Sequence, residues 1–160
     1  MNTNSNENIN LIVFSLGTEN FGIDTDYVIN IIDHANITPI PRSPKTLKGV
    51  INLRGSILPL VSTHTLLDIP ALSNDKYNYI VIEISSYNHN IKFAIEVDSV
   101  MDVIEIDKHQ ILPPPKLGIN FPDIYLKGIV KKDRQFILIL NIEQVFITDN
   151  LYKSKYLKTM

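Results

Sequence analysis

The chain has no cysteine among its 160 residues, which excludes disulfides, thiolate chemistry and cysteine-based zinc sites together. Biased composition explains that absence as well as a reducing compartment does. There is no basic surplus either, since 15 Lys and Arg stand against 17 Asp and Glu for a formal net charge of -2. A nucleic-acid binder ordinarily shows a basic field, so no nucleic-acid partner is expected, a local patch aside. No apolar run approaches the roughly 18 residues of a membrane span. Residues 1–8, MNTNSNEN, lack the basic start and apolar stretch of a secretory signal. A cytoplasmic protein with no direct membrane insertion is expected.

Catalytic signatures are missing as well. The sequence contains no Gly-x-Ser-x-Gly elbow, no phosphate-cradling glycine loop and no dinucleotide fingerprint. His34, His64, His89 and His109 lack the i, i+4 spacing of a helical metal pair and read as surface or turn histidines. The densest acidic group, Glu96, Asp98, Asp102, Glu105 and Asp107, has the spacing of a solvated strand face, not of a calcium loop. No catalytic residue, metal or cofactor is therefore expected.

What is present is a core-forming composition, 44% hydrophobic and 20% charged, and a hairpin written twice. Residues 48–67 (KGVINLRGSILPLVSTHTLL) give two short apolar runs around an Asn-Leu-Arg-Gly-Ser turn. Residues 127–146 (KGIVKKDRQFILILNIEQVF) repeat that order at an offset of 79. Upstream, Phe21, Ile23, Asp24, Val28 and Ile31 match Phe93, Ile95, Glu96, Val100 and Val103 at an offset of 72. Two copies are too few for a solenoid, so two small β modules packed together are expected.

Taken in order, residues 10–16 and 21–24 read as strands around a turn. Asp24, Thr25 and Asp26 form a capping cluster, and Val28, Ile31 and Ile32 follow at i, i+3, i+4, which predicts one helical turn. Residues 37–41 carry two prolines and fit only a short or edge strand. Residues 42–48 form a polar connection with room for a turn of helix. Ser62 is placed to cap a short helix, and Asn141 followed by Gln144 reads as a capping box for 142–146. Residues 69–77 separate the copies. Residues 116–125 read as a loop and 149–160 as a frayed helix. The run 136–140 is apolar throughout and is expected to be covered on both faces. Short strands punctuated by Gly, Pro and Asn indicate mainly-β barrels or sandwiches.

Arg54 stands at the hairpin tip, either as a solvated turn charge or as a fixed donor fork, and Gly49 permits close approach of a partner or of another backbone. The segments Phe21-Gly-Ile-Asp24, Lys48-Gly-Val-Ile-Asn-Leu-Arg-Gly55, Ile57-Leu-Pro-Leu-Val61 and Leu126-Lys-Gly128 through Asn141-Ile-Glu143 resemble, in order and spacing, the CheW-like coupling domain of bacterial chemotaxis. That resemblance implies two intertwined five-stranded SH3-like β-barrel subdomains with short helices. The single domain would span 9–147, with a first copy mainly at 9–68, a second mainly at 78–147, strands open to exchange between them, and flexible tails at 1–8 and 148–160. It also implies a non-enzymatic adaptor joining chemoreceptor cytoplasmic tips to the histidine kinase CheA, recruited to membrane-associated receptor arrays. The alternative is a small β-barrel module for ligand or nucleic acid.

The residues expected to bind partners are Val28, Asn30, Ile31, Gly49, Asn52, Arg54, Ile57, Val100 and Val103. The resemblance places Gly49 near the kinase-facing surface, where an Asp is expected to leave the fold intact. Val28, Ile31, Val100 and Val103 are expected either to border a receptor cleft or to be core. Two departures stand out: Asn30 occupies the position where the family usually carries Glu, and Ser62-Thr-His64 replaces the usual Asp-Leu-Arg.

Overall fold

A computed structural model describes residues 7–72, 76–86, 89–114 and 122–146. Two sheets hold eleven strands, a five-stranded one in the order β10-β11-β2-β1-β9 and a six-stranded one in the order β3-β7-β8-β6-β5-β4. The strands are β1 (Asn8–Leu16), β2 (Glu19–Asp24), β3 (Val28–Ile32), β4 (Ile37–Thr38), β5 (Leu47–Leu53) and β6 (Ser56–Ser62). Then come β7 (Asn78–Ser86), β8 (His89–Val97), β9 (Ser99–Asp107), β10 (Leu126–Lys132) and β11 (Gln135–Leu140). Two short helices, α1 (Thr63–Leu67) and α2 (Ile142–Phe146), follow β6 and β11. The fold is mainly β.

Each sheet draws strands from both halves of the chain. The β1–β2 hairpin lies with β9, β10 and β11, and the β7–β8 hairpin lies with β3 to β6. The register repeats the internal offsets: β6 pairs in parallel with β8 through Leu60 and Ala94, and β11 pairs in parallel with β2 through Ile139 and Gly22. Even β4 has its counterpart, the lone bridge between Leu112 and Ile129.

Alternation along the strands divides the core. Phe14, Phe21, Ile82, Phe93, Ile95 and Leu138 point into one cluster that both sheets share. Leu11, Val13, Ile137 and Ile139 fill a second cluster in the five-stranded sheet. Leu60, Tyr79, Val81 and Ala94 fill a third in the six-stranded sheet. β1, β7 and β11 are thus buried on both faces, each fully buried Ile or Phe being worth about 1.5–3 kcal/mol. Within the run 136–140 the first residue departs from that expectation, since Phe136 is 53% exposed.

A side-chain oxygen caps each of the three expected turns, which at Asn141 is the first of the two bonds of a capping box. Ser62 accepts from the Thr65 N–H, Asp24 accepts from the Asp26 N–H and Asn141 Oδ1 accepts from the Gln144 N–H. The helical periodicity at Val28, Ile31 and Ile32 misleads: only Thr25–Tyr27 makes a 3-10 turn, and Val28–Ile32 is an edge strand with a bulge beside Val28. Residues 42–46 hold turns and no helix, with Arg42 at φ 62°. Within 116–125, Asp123–Tyr125 is a 3-10 turn. Asn8 belongs to β1 and the Glu7 carbonyl accepts from the Lys108 N–H, so these two residues of the expected tail are tied to the fold. The expected tails at 1–6 and 148–160, with the helix at 149–160, lie outside the described residues, as does most of the 116–125 loop.

Candidate functional site

The β5–β6 hairpin closes with the tightest loop available. Leu53 faces Ser56, so only Arg54 and Gly55 form the connection, at φ 51° and 88°. Positive φ at both loop residues is the turn whose twist matches its strands. Asn52 Oδ1 accepts from the Gly55 N–H at 3.0 Å and locks the loop, so this oxygen serves the turn. Arg54 is exposed, and its guanidinium has no hydrogen bond or ion pair among the described residues. The second hairpin repeats the turn with Asp133 at φ 50° and Arg134 at φ 68°.

Gly49 is buried, and its φ of 151° is one that side chains rarely adopt. A Cβ there would overlap the Thr38 carbonyl and press on Pro39 Cα. The backbone that approaches Gly49 is therefore the chain's own β4. The expectation that Asp at this position leaves the fold intact is corrected: a carboxylate has no space. Gly128 repeats the arrangement against Ile111 and Leu112.

Val28, Asn30 and Ile31 lie on β3, the edge of the six-stranded sheet, and Val100 and Val103 lie on β9, the edge of the five-stranded sheet. None is fully buried. Val28 and Val100 pack half-buried against the shared core, whereas Ile31 and Val103 are exposed. Asn30 Oδ1 accepts from the Ile31 N–H at 2.8 Å, a local bond that leaves Arg54 untouched. Ile57, on β6 beside the turn, is exposed.

Sequence reasoning matched Ile31 with Val103 but missed Ile29, Met101 and Phe136. Ile29 and Met101, Ile31 and Val103, and Ile57 and Phe136 are all exposed, and they match at the offsets of 72 and 79. Applying the offsets to exposed positions as well as to core would have found them.

Polar groups were missed too. His64 is not a surface histidine: it is 6% exposed, and its Nε2 lies 3.0 Å from Asp98 Oδ2, which also accepts from the Gly17 N–H at 2.6 Å. Glu96 and Asp98 leave the solvated face assigned to them. Both are buried, and Glu96 Oε1 accepts from Lys48 Nζ at 2.7 Å. The helical spacing of His64 and Leu67 was the available signal, because residues three apart share a face. Burial, followed by the Glu96 charge, pushes the Tyr79 hydroxyl up from its usual range.

Between the two copies, Tyr27 OH donates to Glu143 Oε1 at 2.7 Å, tying the turn after β2 to α2. Desolvation first, then that hydrogen bond and the Glu143 charge, push the Tyr27 pKa to about 12. Among the described residues no cluster of His, Asp and Glu fits a metal ion. No described helix is long and apolar enough to cross a membrane.

The profile of the CheW-like domain matches residues 10–149. The chain belongs to the CheW-like family. The chemotaxis protein CheW of Treponema pallidum is 27% identical over 154 residues, covering 93% of this chain and 88% of that one. The CheW of Klebsiella aerogenes is 30% identical over 149 residues, covering 89% and 88%. Among solved structures, the scaffolding protein TtCheW from Thermoanaerobacter tengcongensis superposes with a TM-score of 0.76 at 31% identity, covering 91% of this chain and 92% of that one. The two-sheet arrangement is thus the CheW-like fold over nearly the whole described chain.

Proposed function

We propose that the chain is a non-enzymatic chemotaxis adaptor that couples chemoreceptor cytoplasmic tips to the histidine kinase CheA. The observation that carries this reading is the set of exposed apolar pairs Ile29/Met101, Ile31/Val103 and Ile57/Phe136. An adaptor needs two docking faces in fixed relation, and a duplicated fold supplies two like faces on one body. Large side chains left in water at matching positions of both sheets are better explained by partners than by folding. The unpaired Arg54 guanidinium beside Ile57 adds a donor fork suited to a carboxylate. Coupling would be geometric: receptor state would bias the kinase through interfaces that both engage at once. On this reading the protein works in the cytoplasm, at receptor arrays.

A nucleic-acid module is the weaker reading. Lys131, Lys132 and Arg134 cluster at the second turn, and Lys131 Nζ lies 5.8 Å from the Phe136 ring centre. One ring is not the series of stacking platforms that single strands need.

The test is a pull-down with CheA and a receptor cytoplasmic fragment, followed by a reconstituted kinase assay. Ternary complex formation and receptor-dependent kinase activity are expected. Binding to neither protein would reject the adaptor reading.

A further inference from the structure

A cavity of about 440 Å³ opens at the start of β5, the end remote from the Arg54 turn. Its volume lies in the roughly 300–1,000 Å³ range of small-molecule sites. Ile69, Pro70 and Ala71 supply its apolar lining, and Lys48, Asp68, Tyr77 and Glu96 supply charge and an aromatic ring.

Inside it the Lys48 ammonium lies 2.7 Å from Glu96 Oε1 and 5.1 Å from the centre of the Tyr77 ring. A carboxylate and an aromatic face are the two groups that hold organic ammonium ions. The two partners differ in mobility. Glu96 is 2% exposed and its Oε2 has no hydrogen-bond partner, whereas the Lys48 side chain is 40% exposed. A buried carboxylate cannot leave its place and is costly without a cation. Lys48 can swing into solvent, and the acidic groups left in the lining are then the buried Glu96 and the exposed Asp68, both negative.

The duplicate copy supplies an internal comparison. Lys127, the counterpart of Lys48, has its Nζ 5.6 Å from the Tyr27 ring centre, and Tyr27 donates to Glu143, so the same three kinds of group recur, although Tyr27 and Glu143 are not the counterparts of Tyr77 and Glu96. There the carboxylate is exposed, and water solvates it. Of the two carboxylates only Glu96 is buried.

We propose that this cavity is a site for a small organic cation, a primary aliphatic ammonium whose head replaces Lys48 Nζ between Glu96 and Tyr77 while its carbon chain packs on Ile69, Pro70 and Ala71. Lys48 is then a built-in competitor that keeps the buried carboxylate neutralised until a ligand arrives. The site shares no residue with the proposed partner-binding set, so it stands or falls independently of the adaptor reading.

The test is titration of the whole chain with butylammonium and with 1,4-diaminobutane, followed by calorimetry and by amide and lysine-ammonium NMR, with butyrate as the anionic control. Saturable binding of both amines is expected, with shifts at His64, Asp68 and Tyr77, release of the Lys48 ammonium signal, and no binding of butyrate. Lys48→Met keeps the aliphatic stem and removes the competitor, so it should bind butylammonium about tenfold more tightly if Lys48 fills the site about nine-tenths of the time. Glu96→Gln should lose binding. Amines that fail to saturate the unmodified chain, or that bind without moving the Lys48 signal, overturn the proposal even if neither variant folds.

Discussion

Gly49 and Gly55 lie on one hairpin and need to be glycine for different reasons. At Gly49 a Cβ would enter the Thr38 carbonyl, whereas at Gly55 it would meet nothing within 4 Å and only the φ of 88° resists it. Gly49→Ala should therefore cost about 3 kcal/mol, the upper end of what buried overlap costs. Gly55→Ala should cost only about 1 kcal/mol. Urea denaturation of the two variants measures the difference, and equal midpoints would show that β4 yields easily. Arg54 obeys a third logic. Its side chain is exposed and unpaired, so Arg54→Ala should unfold within about 1 kcal/mol of the parent, as exposed charges do. On the adaptor reading the same variant should fail to support receptor-dependent kinase activity, while Arg134→Ala in the duplicate turn supports it. Equal activity of the two would reduce Arg54 to a turn charge.

At the scale of elements, the link between α2 and the turn after β2 has a titration signature. The Tyr27 hydroxyl ionises near pH 12 in the folded chain, against about 10 when unfolded. Between those values the folded state holds a proton that the unfolded state has lost, so stability from this group is intact below pH 10 and declines as pH rises toward 12. Ultraviolet titration should show a late phase, to which Tyr79 also contributes, that Tyr27→Phe diminishes. If all tyrosines ionise together, the contact with Glu143 is not maintained in solution. Elements of this kind were only partly legible in the sequence. The caps at Ser62, Asp24 and Asn141 and the proline-marked edge strand follow from local chemistry, and local chemistry was enough. β3 was misread because Val28, Ile31 and Ile32 fit a helical stripe as well as a bulged edge strand, and only pairing with β7 decides between them. His64, Glu96 and Asp98 were misplaced because their partners lie 34 to 81 residues away. The same holds at the candidate site: the Arg54 tip could be read from its own turn, but Gly49 needed β4.

For the whole molecule, the decisive feature is which pairings cross from one half of the chain to the other. β1 with β2, β5 with β6, β7 with β8 and β10 with β11 are local hairpins. Every pairing that joins hairpins into sheets, β1 with β9, β2 with β11, β3 with β7 and β6 with β8, links the first half to the second. A lone two-stranded hairpin is marginal in water at best. The shared core likewise takes Phe14 and Phe21 from one half and Ile82, Phe93 and Phe146 from the other. A chain cut between Leu72 and Lys76 should therefore yield two halves that are each unfolded alone, although each holds a complete copy of the repeat. Mixed in equal amounts, they should recover the β-sheet circular dichroism of the intact chain as a one-to-one complex, at a rate that rises with concentration because sheet assembly has become bimolecular. The opposite result is equally clear. If either half alone gives a cooperative unfolding transition, its leading hairpin can pair within its own copy, and the pairing between halves is a choice made at the level of the full chain, not a requirement of either module.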